Sequence, residues 1–370
     1  MRVVQLGKYY YPHTGGIETH LRLLCRSLQG TVDVEAIVFN TGRKTLREPA
    51  EGIPVTRCGS LATVASSPIS PAMVWELSKR KYDVLHLHTP NPFAAAAYLA
   101  SIKPRHALVV SHHSDIVRQT RLKRLVNPIM QRVLDRADAI LVASPNYLAS
   151  SKELERFCAK CRVVPYGLDL QELAPDVEAL SMAASIRAQY PGPIVLSVGR
   201  LVYYKGFDVA IEAMQDTPAT LLIVGEGPLR ASLEAKARSL HVDRKVVFIG
   251  EIHTRSLLPY YFAADVFVLA SVARSEAFGI VQLEAMACQV PVVNTALDSG
   301  VPFASRHGDS GLTVPPGDPR ALGIAIRQLL ADAGLRKRYG KQGRARVEAE
   351  FSLGPMSAAI LRTYRQVSGA

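Results

Sequence analysis

Short apolar runs recur along this chain, and each is followed by a stretch of helical periodicity. In the first half the runs fall at 2–6, 34–39, 84–87, 108–110, 139–142 and 162–164. Helical spacing fills gaps between them, as at 17–28, where Leu21, Leu24 and Leu28 share a face, and at 126–136 around Pro128. Strands alternating with helices imply a parallel sheet covered on both sides. The pattern breaks after Tyr166-Gly167-Leu168-Asp169, through Pro175 and the mixed segment 176–193, and restarts at 194–198. Further runs follow at 219–224, 246–249, 266–270, 291–293 and 311–314, then helices at 319–331, 335–350 and 355–367. The break predicts two doubly wound α/β domains, 1–170 and 171–352, and a terminal helix within 353–370. A chain of 370 residues is long for one core and sufficient for two.

In such folds ligands bind at the carboxyl ends of the strands. The run 266–270 leads into a polar loop with Arg274, Ser275 and Glu276, and Phe278-Gly279-Ile280 then opens a helix that reaches about Cys288. The first turn of that helix offers N–H groups and the positive end of a dipole, which suits a phosphate. Glu284 lies inside the helix on the face of Ile280, Leu283 and Ala287, which should pack on the sheet. A buried carboxylate needs hydrogen-bond donors, and ligand hydroxyls are the expected ones. An anion site between two hydroxyl acceptors matches a nucleotide sugar, with its diphosphate between ribose and hexose.

Other strand-end loops agree. GRLVYYKG after 194–198 sets Arg200 and Lys205 before a helix, where they could clamp a diphosphate. Gly15 and Gly16 precede the first helix and allow close backbone approach, although a simple turn reads as well. The strand 108–110 ends in Ser111-His112-His113-Ser114-Asp115, and His86-x-His88 marks another strand end. These histidines could suggest a metal site, but no carboxylate or cysteine cluster with ligand spacing accompanies them. Cys158-x-x-Cys161 has no second pair, and five scattered cysteines point to structural thiols in a reducing compartment.

The net charge of +12 favours polyanionic partners such as nucleotide phosphates or anionic lipid. The aromatic and zinc patterns of nucleic-acid readers are missing. No apolar run reaches a membrane span, and the N-terminus opens on a strand pattern without a signal peptide. A cytoplasmic protein is expected, peripheral on the inner face of the plasma membrane if it docks there. The segment 116–136, with Arg118, Arg121, Lys123 and Arg124, mixes basic and apolar residues as a membrane-surface helix does, and as a solvated face also does.

Glu276 and Glu284, separated by seven residues in SEAFGIVQLEAMACQVPVV, resemble the E-x7-E motif of the retaining glycosyltransferases of family 4. TGGIE, SHHSD, GRLVYYKG and VGEGP also fall in that family's order, so the resemblance spans nearly the whole chain. It implies the GT-B fold: two Rossmann-like domains facing across a cleft, with the C-terminal helix crossing back to the N-terminal domain. The implied reaction moves a hexosyl group, with retention, from a nucleotide diphosphate sugar to a hydroxyl of a glycan or lipid-linked acceptor. No metal and no further cofactor are implied. Arg200, Lys205 and the helix start at Phe278, Gly279 and Ile280 would stabilise the departing phosphate. Glu276 would hold sugar hydroxyls and Glu284 the ribose. Gly15 and Gly16 would face the donor phosphates, Gly225 and Gly227 the nucleoside, and Ile252 the base edge. His113, with His112 as fallback, would offer a ring N–H at the sugar.

NTALDSGVPFASRHGDSGLTVPPGD resembles bacterial surface-polysaccharide mannosyl- and rhamnosyltransferases, which implies a GDP-sugar, GDP-mannose first, over a UDP-sugar. Relatives that extend lipid-linked sugars dock through a basic patch in the first domain. A GT-B epimerase, a non-catalytic polyanion binder and a two-lobed solute-binding protein are the rival readings.

Overall fold

The computed structural model describes residues 1–13, 15–64, 67–102, 105–115, 120–252 and 254–369, without the side chains of 120–125 and 254. The chain divides into two compact units: Met1–Gly167 with Leu353–Ala370, and Leu168–Ser352.

The first unit holds β1 (Arg2–Leu6), β2 (Asp33–Phe39), β3 (Leu46–Ala50), β4 (Ile53–Cys58), β5 (Ala62–Val64), β6 (Ser67–Ile69), β7 (Val84–Thr89), β8 (Ala107–His112), β9 (Ala139–Val142) and β10 (Cys161–Val163). Its 8-stranded sheet runs β10-β9-β8-β7-β1-β2-β4-β3. All neighbours are parallel except β3, which pairs antiparallel with β4. Alternation along the strands sends side chains to two cores. Val4, Leu6, Ile37, Leu85, Leu87 and Val110 enter one. Val3, Val34, Ala36, Val38, Val84 and Val109 enter the other, beneath Leu21, Leu24 and Leu28 of the helix Gly16–Leu28. The last helix, Leu353–Ser368, seals that second core with Met356, Ile360 and Tyr364. It therefore belongs to the first unit, as the family resemblance implied.

Several elements depart from the sequence reading. β3 is LREPA, almost wholly exposed, and carries Pro49 where an edge strand tolerates it. It lacks the apolar run that marks a central strand. The β5–β6 hairpin and the helix Pro71–Ser78 were equally silent. The helix around Pro128 begins at Thr120, earlier than its apolar spacing suggests.

The second unit holds β11 (Ile194–Val198), β12 (Thr220–Val224), β13 (Val246–Gly250), β14 (Val266–Leu269), β15 (Val292–Thr295) and β16 (Gly311–Val314). Its 6-stranded sheet is parallel throughout, in the order β13-β12-β11-β14-β15-β16. From β11 the chain winds outward through β12 and β13, then returns to β14 on the other side. The direction of winding switches between β11 and β14, the place at which open parallel sheets carry their ligand-binding loops, and here the two following loops are joined by Val272 N–H donating to Tyr204 O at 2.8 Å. Among the described residues no helix is long and apolar enough to cross a membrane.

Candidate active site

In the second unit the switch point gathers four of the residues singled out above. Lys205 sits in the loop after β11, and Glu276 in the loop after β14. Lys205 Nζ lies 2.6 Å from Glu276 Oε2, with side chains only 12% and 9% exposed. Ser271, at the end of β14, donates from Oγ to the same oxygen at 3.2 Å. Burial alone would lower the pKa of the Lys205 ammonium; the Glu276 carboxylate opposes this, and the net direction is upward. Lys205 stays a cation, but it is already paired, whereas the sequence presented it simply as a phosphate clamp.

Arg200 is exposed and makes no side-chain hydrogen bond or ion pair among the described residues. It is the cation of this loop that remains open to an anion. Between the two clusters the helix Ile280–Ala287 starts at Gly279, whose backbone has φ 73 and ψ 64 with no side-chain cap. That left-handed conformation costs glycine little, and a Cβ here would meet Leu269 Cδ2 at 2.4 Å. An uncapped helix start leaves N–H groups for an anion. Phe278 is buried edge-on to Phe303 and Phe351 and anchors the turn.

Glu284 is not waiting for a ligand donor, which corrects the expectation from burial alone. The hydroxyl of Tyr261 donates to its Oε2 at 2.7 Å. Burial still raises the carboxyl pKa, against the lowering effect of Tyr261 and Lys205. Among the described residues its second oxygen accepts no side-chain hydrogen bond, so one acceptor remains for a hydroxyl.

Gly225 and Gly227 turn out to be needed by the protein's own backbone. A Cβ on Gly225 would fall 2.1 Å from Gly199 O, and one on Gly227 2.5 Å from Leu201 O. Their absent side chains let the loops after β11 and β12 interlock through Leu201 N–H to Glu226 O at 2.9 Å. Gly225 N–H also donates to Gly250 O at 2.7 Å, which ties this turn to Ile252 just beyond β13.

In the first unit Gly15 and Gly16 stand exposed at the uncapped start of the helix Gly16–Leu28. Gly15 is extended at φ 171, a conformation open to any residue. Arg118 lies outside the described residues, as do the side chains of Arg121, Lys123 and Arg124 on the helix Thr120–Arg136.

His112 and His113 part company at the end of β8. The His112 ring meets Thr89 Oγ1 at 3.0 Å and Asp115 Oδ1 at 3.3 Å. Asp115 also accepts from Tyr147 at 2.8 Å and Ser151 at 2.7 Å. Although burial pushes it up, these bonds hold its carboxyl at about 2. His113 is buried with both ring nitrogens engaged: Nδ1 with Tyr166 Oη at 2.7 Å, Nε2 with His88 Nδ1 at 3.0 Å. The expected ring N–H available to a sugar is therefore committed inside the protein. His20, His88 and His113 place ring nitrogens within 4.8 Å of one another. Two of those rings, His88 and His113, would have to break internal hydrogen bonds to hold a dication.

Sequence reasoning missed Tyr261, Ser271, His20, Gln5 and Tyr166. The signal for His20 was a polar residue inside the apolar stripe Leu21, Leu24, Leu28.

Residues 183–346 match the family described as Glycosyl transferases group 1, and residues 14–172 match Glycosyltransferase Family 4. The chain is 32% identical to O-antigen chain mannosyltransferase C of Escherichia coli over 98% of both chains. It is 32% identical to D-rhamnosyltransferase WbpZ of Pseudomonas aeruginosa, over 95% of this chain and 92% of that one. A GDP-mannose-dependent alpha-(1-6)-phosphatidylinositol monomannoside mannosyltransferase of Mycolicibacterium smegmatis is 28% identical over 90% of each. Among solved structures, a sucrose-phosphate synthase from Thermosynechococcus elongatus superposes over 100% of both chains with a TM-score of 0.82 and 25% identity. Anabaena HepE, in complex with UDP and glucose, gives 0.80 at 22% identity over 99% of this chain and 100% of that one.

Proposed function

The chain belongs to glycosyltransferase family 4, and on that footing we propose that it moves a hexosyl group from a GDP-sugar, GDP-mannose first, to a glycan or lipid-linked hydroxyl with retention. The observation that carries this is the Lys205–Glu276 pair at the β11/β14 switch point, beside the uncapped helix start at Gly279. Departure of the nucleotide diphosphate leaves positive charge on the anomeric carbon and negative charge on phosphate. Arg200, Lys205 and the N–H groups at Ile280 answer the negative charge, and Glu276 and Glu284 receive sugar and ribose hydroxyls. A donor hydroxyl arriving at Glu276 frees Lys205 for the phosphate, so pairing in the empty site keeps both groups ordered. Within the first unit, His113 is proposed to serve the sugar. With these cations at the diphosphate, no divalent metal is required.

A thermal-shift panel tests the donor base, because a ligand at 100 times its Kd stabilises by about 2.7 kcal/mol. GDP should raise Tm more than UDP or ADP, and transfer from GDP-mannose should survive excess EDTA. A larger shift with UDP, or activity lost to EDTA and restored by manganese, overturns the corresponding part. The mannosyl and rhamnosyl names of the relatives support the sugar.

Membrane docking through Arg118, Arg121, Lys123 and Arg124 is part of the same proposal. Each charge adds about 1 kcal/mol near an anionic surface at low salt. Anionic vesicles should sediment the wild-type chain and leave a variant with these four changed to serine in solution. Equal partitioning would reduce the segment to a solvated face.

A further inference from the structure

The first unit contains a hydrogen-bonded chain from one side of the sheet to the last helix. It runs Tyr166, His113, His88, Gln5, Tyr364, His86, Ser111, with links of 2.7, 3.0, 2.9, 2.9, 2.6 and 2.8 Å in that order. Every member is buried. The parallel registers bring them together, Gln5 opposite His86 and His88 opposite Ser111. Tyr364 arrives from the helix Leu353–Ser368.

A neutral imidazole has one N–H and one lone pair, so the bond at one nitrogen decides the other. Burial, reinforced by the neighbouring histidines, drives His86, His88 and His113 well below the ordinary histidine pKa, and all three are neutral. Gln5 is the member of the chain whose two ends differ: Oε1 can only accept and Nε2 can only donate. Its Oε1 faces His88 Nε2 and its Nε2 faces Tyr364 Oη. His88 therefore carries its proton on Nε2 and a lone pair on Nδ1. His113 must then donate from Nε2 to that lone pair, which leaves its own Nδ1 to accept from the Tyr166 hydroxyl. On the other side Tyr364 donates to His86 Nδ1, and His86 Nε2–H donates to Ser111. Half a turn of the Gln5 amide would reverse every link and move the His113 proton to Nδ1.

We infer that Gln5, held at its Nε2 end by Tyr364 of the terminal helix, is a positioning residue whose amide orientation fixes His113 as the Nε2–H tautomer. The functional consequence rests on the reading of His113 as the residue that serves the sugar. In this tautomer the ring has no N–H to give a ligand. It offers only the Nδ1 lone pair, as an acceptor for a hydroxyl that takes the place of Tyr166. His113 would thus hold a sugar hydroxyl, in place of donating to a departing group.

The test uses the full chain labelled with ¹⁵N-histidine, in which long-range proton–nitrogen spectra report which nitrogen of each ring is protonated. Wild type should give one set of signals, with His86, His88 and His113 all protonated on Nε2. Tyr364→Phe removes one hydroxyl and keeps the ring, so the Gln5 amide loses the group that holds its Nε2 end and is free to turn. A second set should appear, with His88 and His113 protonated on Nδ1. Tyr166→Phe removes the hydroxyl that faces His113 Nδ1 and leaves Gln5 untouched, so both rings should stay on Nε2. His113 on Nδ1 in wild type, or an unchanged single set in Tyr364→Phe, overturns the inference.

Kinetics on the same variants separate it from the reading it rests on. A wrong imidazole tautomer costs about 10⁴ in the serine-protease triad, and a partial shift should lower kcat of Tyr364→Phe about tenfold at unchanged KM for the nucleotide sugar. Tautomers that shift while kcat does not would uphold Gln5 as positioning residue and remove His113 from the reaction. A fall in kcat with no tautomer change would overturn the positioning role.

Discussion

Lys205→Met should cost the second unit about 3–5 kcal/mol of stability, the usual result of removing one partner from a buried ion pair, and nearly all transfer activity. The side chain keeps its length, so the loss is one of charge. Glu276 would be left within a buried site with only the Ser271 hydroxyl, at 3.2 Å, as side-chain donor among the described residues. Losing a donor aimed at charge in the transition state typically costs about 10²–10³ in rate. The Lys205→Met/Glu276→Gln pair separates the two effects. It removes both charges, so it should recover most of the stability and none of the transfer. The Lys205 pKa is raised in the fold, so the pair's contribution is fully present below the unfolded lysine value and is lost only as alkaline pH passes the folded one. Arg200→Ala supplies the contrast. Its side chain is exposed, so unfolding should change by less than about 0.5 kcal/mol. Affinity for the nucleotide diphosphate should fall about ten- to a hundredfold, the worth of one charge-assisted bond. Urea unfolding and nucleotide titration on the four proteins are the measurements. A Lys205→Met variant as stable as wild type would mean the pair contributes nothing, and an unchanged affinity in Arg200→Ala would place the phosphate elsewhere.

What could be read from the residues follows from where each kind of information resides. Strands of the second unit are buried on both faces, so 194–198, 219–224 and 266–270 stand out as apolar runs, and the loops between them are placed by topology. That is why Arg200, Lys205, Glu276 and Glu284 were legible as a set. Their pairings were not. Lys205 meets Glu276 because β11 and β14 are neighbours in the sheet, with Val195 opposite Val266, and strand order is not written in any local pattern. Tyr261 reaches Glu284 from a preceding helix whose sequence gives no sign of the contact. The edge strand β3 was silent for the opposite reason: exposure lets it be polar. The histidine chain was hidden most deeply. Gln5 looks like a lapse in an apolar strand and Tyr364 like one more core residue on a spacing-four stripe, and the two lie at opposite ends of the sequence. Only the fold brings the lapse and the stripe together and shows that each satisfies the other.

The same cluster should make the first unit sensitive to mild acid. His20 is lowered to about 4 by burial, and burial with mutual repulsion holds His86, His88 and His113 well below 6.5. The sign follows from linkage. In the unfolded chain each of these rings takes up a proton near 6.5, while in the fold it stays neutral. Above that pH neither state is protonated, and the native stability is complete. Below it the unfolded state binds more protons, and stability is lost as pH falls toward the folded values. Each group contributes at most about 1.4 kcal/mol per pH unit. Four together approach about 5 kcal/mol per unit between pH 6 and 5, comparable with the whole stability of a typical domain, about 5–15 kcal/mol. Asp115 cannot account for a loss in that window. Its pKa is lowered to about 2, so its contribution is present above the unfolded carboxyl value and fades only on further acidification. The decisive variant is His20→Met, because His20 Nδ1 makes no hydrogen bond among the described residues and the exchange breaks no link of the chain. Urea midpoints at pH 7, 6 and 5 should fall steeply for wild type and less steeply for His20→Met, by about one proton in the slope. A wild-type stability that is flat from pH 7 to 5 would mean that these rings take up protons in the fold as readily as in the unfolded chain, and the neutral hydrogen-bonded chain would have to be given up.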